Sequence, residues 1–173
     1  TFVNALINAQ IIEQNVKKKI FRSKTSISIS EGDSSITLHP AEKGLSISFF
    51  MDINVSYIEP QHLFVKINEQ SFINEIASAR TFCLQSEIDD FIKKGLGKGA
   101  NHENTLIIDE NGPKNNQYRF KNELVRHKIL DLLGDLYLFD YALTGHIVAI
   151  KSGHSLNIKF VKKLIEAQTG HVT

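Results

Sequence analysis

Alternation of polar and apolar residues predicts strands in the first half of the chain. The segments TSISISE (25–31), SITLH (35–39), LSISFFMDI (45–53) and HLFVKIN (62–68) place apolar side chains at every second position. This period is that of a strand with one buried face. Because turn-forming residues separate the first three segments, we predict an antiparallel meander there, with the fourth segment as a further strand.

Helical spacing of apolar residues dominates from residue 70 onward. Apolar residues that recur at three- and four-residue steps indicate amphipathic helices. Ser71 and Ser86 stand where helix N-caps are expected, and Gly95 stands where a helix ends. The predicted elements are helices at residues 2–15, 71–79, 86–95, 120–139 and 155–168, and strands at residues 80–84, 105–109 and 146–153.

The order of these elements predicts an α+β fold. Strands come first and helices later, with a strand–helix–strand unit near residues 81–109. We therefore expect a two-layer sandwich of a mainly antiparallel sheet packed against helices, with a small β-α-β insert. The chain starts without methionine inside a helical pattern. We interpret residues 1–16 as the remnant of a preceding helix with a linker, and residues 17–173 as the α+β domain.

Composition and charge exclude several classes of protein. Twenty basic and 19 acidic residues give a net charge of +1, so we expect no nucleic-acid partner. A single cysteine, Cys83, excludes an internal disulfide framework and a CxxC zinc site. No apolar run approaches the ~20 residues of a membrane span, and the N-terminus is a poor signal peptide. We predict a cytoplasmic protein without a transmembrane segment.

The predicted helix at 120–139 carries His127, Asp131 and Asp135 at four-residue steps. Side chains four residues apart on a helix have Cβ atoms ~5–6 Å apart, so an imidazole and a carboxylate can share one metal ion. Asp135 lies ~12 Å from His127 along the axis and is better placed to orient another group. The opposite side of the helix is an apolar stripe of Val125, Ile129, Leu132, Leu133 and Leu136.

Two interpretations of this polar face remain open. A polar face opposite a core stripe is most often solvated. The alternative is part of a zinc site, which in an enzyme takes three protein ligands and a water. The remaining histidines lie outside ligand-like motifs and are expected to be ordinary surface or turn residues: His39, His62, His102, His146 and His171.

Two shorter motifs add candidate chemistry. In KSGH (151–154), His154 stands where a strand ends and a helix begins, and beside a metal site it is a candidate acid or base. In ARTF (79–82), Thr81 offers a hydroxyl group at a strand start, which by itself is more often structural.

The motifs ARTF, VRHKILDLLGDL and KSGH, in this order and with 27 residues from His127 to His154, resemble UDP-3-O-acyl-N-acetylglucosamine deacetylase, the zinc amidase of bacterial lipid A synthesis. The resemblance covers nearly the whole chain. It implies two similar α+β domains with the active site between them, this chain being similar to the C-terminal domain plus a remnant of the first. It also implies Zn²⁺ as cofactor and a UDP-linked acylated amino sugar as substrate.

The same resemblance implies roles for the residues of the three motifs. His127 and Asp131 match two of the three zinc ligands. His154 matches the general acid, and Asp135 matches the aspartate that orients it. Thr81 matches the threonine that donates a hydrogen bond to the developing oxyanion.

Three further residues match substrate-binding positions. Lys128 matches a lysine that contacts substrate, and Phe82 begins the insert that forms a passage for the acyl chain. Lys151 lies at the position where proteins of this family contact the diphosphate of the nucleotide.

The resemblance also implies that part of the site is missing from this chain. The third zinc ligand and the glutamate general base belong to the family's N-terminal domain, and the chain contains no glutamate–histidine pair. We therefore expect that missing N-terminal domain as partner, and weak zinc binding and no activity for this chain alone. Two alternatives stay open: a non-catalytic α+β binding or assembly module, and a different zinc amidase with the same half-site.

Overall fold

The computed structural model describes residues 2–170, so His171 lies outside the described residues. The α-helices within this range are α1 (Phe2–Asn8), α2 (Glu69–Ser71), α3 (Ile88–Lys93), α4 (Glu123–Leu136) and α5 (His154–Thr169). A π-helical turn, Phe72–Ile76, continues α2, and a 3₁₀ turn, Gln85–Glu87, precedes α3. The strands are β1 (Ile20–Arg22), β2 (Ile27–Glu31), β3 (Ser34–His39), β4 (Leu45–Met51), β5 (Gln61–Ile67), β6 (Thr81–Leu84), β7 (Thr105–Asp109), β8 (Gly112–Pro113) and β9 (Ala142–Ile150).

The larger sheet consists of two antiparallel hairpins separated by the last strand. The order is β2-β3-β9-β4-β5, and β9 pairs antiparallel with β3 and parallel with β4. The short β1 pairs with the first part of β9. The predicted meander is therefore wrong at one place, because β3 and β4 do not pair. The alternation along each strand predicts the strand but carries no information on its neighbour.

The inner face of this sheet packs against α4 and α5. Alternate residues of β3, β4 and β9 point inward and are completely buried, as the two-residue period requires. Helix side chains cover them and form one core, which confirms the predicted two-layer α+β sandwich. The fully buried residues of the two layers include Ile36, Leu38, Ile47, Phe49 and Ile147 from the sheet, and Leu124, Ile129, Leu132, Phe160 and Leu164 from the helices.

The β-α-β insert is present as a separate small sheet. β6 pairs parallel with β7, α3 lies between them in sequence, and β8 pairs antiparallel with β7. Gly95 follows α3 with φ +68°, so it ends the helix as predicted. β6 lies beside α4, where Phe82 adjoins His127.

Three predictions about helix ends are wrong. α1 ends at Asn8 rather than near residue 15, because Gln10 is left-handed and none of the α1 side chains is buried. The N-cap of α2 is Asn68, and Ser71 is its reciprocal partner three residues later. Ser86 caps no helix; the Glu87 carboxylate instead accepts from the Leu84 N–H.

None of the helices within residues 2–170 is long and apolar enough to cross a membrane.

Candidate active site

The polar face of α4 is enclosed. The side chains of His127, Asp131 and Asp135 are only 14%, 13% and 14% exposed. The predicted apolar stripe on the other side of the helix is buried against the sheet, as expected. The interpretation of this polar face as a solvated helix surface therefore does not fit these low exposed fractions.

His127 stands between a backbone carbonyl and a carboxylate. Its Nδ1 lies 3.3 Å from the Ala79 carbonyl oxygen, and its Nε2 lies 3.2 Å from Asp131 Oδ1. A carbonyl oxygen can only accept, so Nδ1 carries the proton in this contact. In the neutral imidazole both Nε2 and Asp131 Oδ1 are then acceptors, and a proton or a metal cation between them makes their approach favourable. An imidazole nitrogen and a carboxylate oxygen are donors that suit zinc.

Asp131 is held in its ionised form. Burial by itself raises its pKa, but the hydrogen bond and charge of His127, together with Lys128, bring that pKa below the usual 3.8. Lys128 Nζ lies 3.1 Å from the second carboxylate oxygen, Oδ2. Asp131 is thus a carboxylate at neutral pH, the form that can bind a metal.

His154 is the first residue of α5 and faces the same side of α4. Its Nδ1 lies 2.8 Å from Asp135 Oδ2, and its Nε2 lies 3.9 Å from Asp131 Oδ1. The structure therefore brings His154 to the aspartate that was expected to orient it. The buried Asn157 also donates to Asp135 Oδ2, at 2.8 Å. Asn157 was not among the residues predicted from the sequence, although its position three residues after His154 places both on one side of a helix.

Strand β6 brings aromatic surface to the same place. The Phe82 ring meets the His127 imidazole edge-on at 6.3 Å between centroids, and Lys128 Nζ lies 5.6 Å from the centre of that ring. Thr81, the first residue of β6, is exposed. The two α4 residues predicted to bind metal and substrate, His127 and Lys128, thus adjoin the first residues of the insert.

Within the described residues, the Lys151 side chain has no hydrogen bond or ion pair with the other predicted site residues. Its Nζ lies 3.0 Å from a carboxylate oxygen of Asp33 and 3.0 Å from one of Asp52. The hydrogen bonds to Asp33 and Asp52 raise the pKa of Lys151 above the usual 10.5, so its charge is present and compensated. Lys151 links the β2–β3 turn to the residue after β4.

A buried ion pair joins Arg80, the residue before β6, to the start of α4. Arg80 and Glu123 are 6% and 0% exposed, and Arg80 Nε lies 2.8 Å from Glu123 Oε1. Neither residue was singled out from the sequence, although Glu123 stands four residues before His127 and extends the same series. The Ala79 carbonyl that contacts His127 leaves no mark in the sequence, because it is a main-chain group.

Residues 2–170 offer two donors for one metal and no more. No group of three or more His, Cys, Asp or Glu in this part of the chain could hold a metal ion. The pair of His127 and Asp131 is therefore an incomplete set by the standard of a catalytic zinc site.

Comparison with known proteins finds a matching family model and similar curated proteins. Residues 1–166 match the family model described as UDP-3-O-acyl N-acetylglycosamine deacetylase. Three curated proteins named UDP-3-O-acyl-N-acetylglucosamine deacetylase are similar to the chain. The one from Thermodesulfovibrio yellowstonii is 39% identical over 95% of this chain and 56% of the relative. Those from Anaeromyxobacter dehalogenans and Saccharophagus degradans are 40% and 38% identical, over 84% and 96% of this chain and 47% and 56% of the relative. The chain thus spans about half the length of the curated relatives it matches.

Proposed function

Since the chain belongs to the UDP-3-O-acyl N-acetylglycosamine deacetylase family, we propose that it is the C-terminal part of a zinc-dependent cytoplasmic hydrolase of lipid A biosynthesis. The reaction is hydrolysis of the acetamido group of UDP-3-O-acyl-N-acetylglucosamine, which yields acetate and the free amine. The observation that carries the proposal is the 3.2 Å approach of His127 Nε2 to Asp131 Oδ1 on an enclosed helix face.

His127 and Asp131 would hold the metal. Zinc held there would supply polarisation of the amide carbonyl and a bound water with a pKa lowered to about 7. We assign the third ligand and the glutamate general base to the N-terminal domain of the same protein, outside these 173 residues. Two features support this assignment: the incomplete donor set and the chain's span of about half the length of its relatives. The 173 residues alone are expected to be inactive.

His154 supplies a proton to the leaving group. Cleavage of the carbon–nitrogen bond leaves an amine that must be protonated, and the imidazolium Nε2 donates to it. Asp135 accepts from Nδ1 at 2.8 Å, which orients the ring. Thr81, exposed at the start of β6, donates its hydroxyl hydrogen to the oxyanion that develops at the attacked carbonyl.

Three residues are assigned to substrate binding. Lys128 and Phe82 adjoin His127, and the insert that begins at Phe82 receives the 3-O-acyl chain. Lys151 is assigned to the diphosphate. Because its ammonium group already pairs with Asp33 and Asp52, it would have to exchange one of these partners for a phosphate oxygen.

Metal analysis of the full-length protein tests the proposal. We expect one zinc per chain, loss of that zinc in the double variant His127→Ala/Asp131→Ala, and hydrolysis of UDP-3-O-acyl-N-acetylglucosamine by the wild type. The control His102→Ala/Asp140→Ala changes the same residue types at exposed positions and should retain zinc. Absence of bound metal would favour the non-catalytic module, and bound zinc without hydrolysis of this substrate would favour a different zinc amidase.

A further inference from the structure

A single peptide group connects Glu123 to His127. The Ala79 carbonyl oxygen lies 3.3 Å from His127 Nδ1. The other end of that peptide, the Arg80 N–H, donates to Glu123 Oε1 at 3.0 Å. Glu123 and His127 are one turn apart on α4, so the path from carboxylate to imidazole closes on the same helix.

Glu123 is a fixed and ionised acceptor. Its Oε1 also accepts from Arg80 Nε, and its Oε2 accepts from Arg80 Nη2 at 3.0 Å and from the Arg119 N–H at 2.6 Å. Burial alone would raise its pKa, but the hydrogen bonds from Arg80 and Arg119 bring the pKa below the usual 4.5. A fully buried carboxylate with donors on both oxygens has one orientation.

A charged group that accepts a hydrogen bond from the N–H of a peptide group polarises the carbonyl of the same peptide group. Hydrogen bonds in a chain polarise one another, so a carboxylate on the Arg80 N–H makes the Ala79 carbonyl oxygen a stronger acceptor. The stronger acceptor keeps the proton on His127 Nδ1 and fixes the plane of the ring.

We propose that Glu123 is a positioning residue for His127, acting through the Ala79–Arg80 peptide group. It holds the proton on Nδ1 and turns the Nε2 lone pair toward Asp131. The inference rests on the proposed function in so far as Nε2 binds zinc. The competing role is purely structural: an ion pair that only anchors β6 to α4.

Two variants distinguish a positioning role from an anchoring role. Both remove the buried ion pair, but only one of them also removes the Glu123 carboxylate. Arg80→Gln removes the guanidinium but keeps Glu123, to which the backbone N–H groups of residues 80 and 119 still donate, so the path to His127 stays intact. Arg80→Gln/Glu123→Gln replaces that carboxylate by a neutral amide. In the full-length protein, we expect the zinc Kd from chelator competition to rise about 10–100-fold in the double variant and to stay near wild type in Arg80→Gln. Equal weakening in both variants would overturn the proposal.

A second measurement does not need zinc. A hydrogen-bonded imidazole N–H that is shielded from water gives a side-chain signal in ¹⁵N-edited NMR spectra of the metal-free protein. We expect the His127 Nδ1–H signal in the wild type and in Arg80→Gln, and its loss in the double variant. If the double variant does not fold, Glu123→Asp takes its place, since the shorter side chain withdraws the carboxylate by one methylene. We expect the same weaker zinc binding and the same loss of the His127 Nδ1–H signal.

The two readouts also keep this inference distinct from the proposed function. A wild-type protein that binds no zinc overturns the proposed function, while the Nδ1–H signal still decides the role of Glu123. A zinc-binding wild type with unchanged affinity and unchanged signal in the double variant overturns only the role of Glu123.

Discussion

The carboxylate of Asp135 has two donors on one oxygen, and both come from the first turn of α5. His154 and Asn157 each approach Asp135 Oδ2 at 2.8 Å. The amide of Asn157 holds the carboxylate in place without adding charge, so the negative charge of Asp135 is available to an imidazolium at His154. In the proposed enzyme, this arrangement holds the His154 ring in place for proton transfer to the leaving amine.

Replacing Asp135 tests this contact. In the full-length protein we expect Asp135→Asn to lower kcat with little change in KM, because the variant keeps an acceptor for His154 Nδ1 but loses the charge. The loss should be smaller than the about 10²–10³-fold expected for His154→Ala. Asp140→Asn, at an exposed aspartate that pairs with Lys19, is the control and should keep the wild-type kcat. A raised KM with normal kcat in Asp135→Asn would assign this residue to substrate binding instead.

Spacing along the chain was sufficient for some site residues and insufficient for others. The four-residue steps of His127, Asp131 and Asp135 predicted a shared face. The contact of Asp135 with His154, which the family resemblance implied, is present. Glu123 extends the same series, but a glutamate in the first turn of a helix is ordinarily solvated. Its burial depends on Arg80, which is distant in sequence and marked by no motif that points to α4.

At the scale of elements, β9 passes between β3 and β4 at a glycine. Gly145 has φ +153°, and a Cβ there would lie 2.5 Å from Leu38 Cδ1 and 2.7 Å from the His39 carbonyl oxygen. The backbone oxygen cannot move without breaking the pairing of β3 with β9. Only glycine therefore suits this position, and the insertion of β9 into the sheet depends on it.

Two glycine substitutions should change stability in opposite directions. We expect Gly145→Ala to lower the free energy of unfolding by about 2 kcal/mol or more, from the clash and the unfavourable φ. Gly134→Ala, inside α4 and with no atom within 4 Å of the added Cβ, should raise it by about 0.5–1 kcal/mol. Urea unfolding measures both changes in the free energy of unfolding, provided that the m-value is the same in the variants and the wild type. Equal stability of Gly145→Ala and wild type would show that β9 does not need glycine here.

At the scale of the whole molecule, the buried ion pair couples stability to pH. The pKa of Glu123 is lower in the folded chain than its ordinary 4.5, so the unfolded chain takes up the proton at higher pH than the folded chain does. This contribution is fully present above pH 4.5 and is lost as the pH falls through the lowered folded-state pKa.

We therefore expect the free energy of unfolding to decrease as the pH is lowered below 4.5. Urea titrations at a series of pH values measure this decrease. The variant Arg80→Gln/Glu123→Gln lacks this carboxylate, so its stability should depend less on pH over the same range. An identical pH dependence in the variant and the wild type would show that other carboxylates account for the acid sensitivity.

Local periodicity alone predicted the strands other than β1 and β8, the main helices, the α+β class and the core stripe of α4. The reason is that two-residue and 3.6-residue periods depend only on neighbouring residues. The tertiary structure alone showed that β9 separates β3 from β4 and that the polar face of α4 is enclosed. It also showed that Lys151 is paired with Asp33 and Asp52, and that one peptide joins Glu123 to His127. These features are contacts between residues far apart in the sequence. Periodicity carries no information about such contacts, since it records which face of an element is buried and not what buries it.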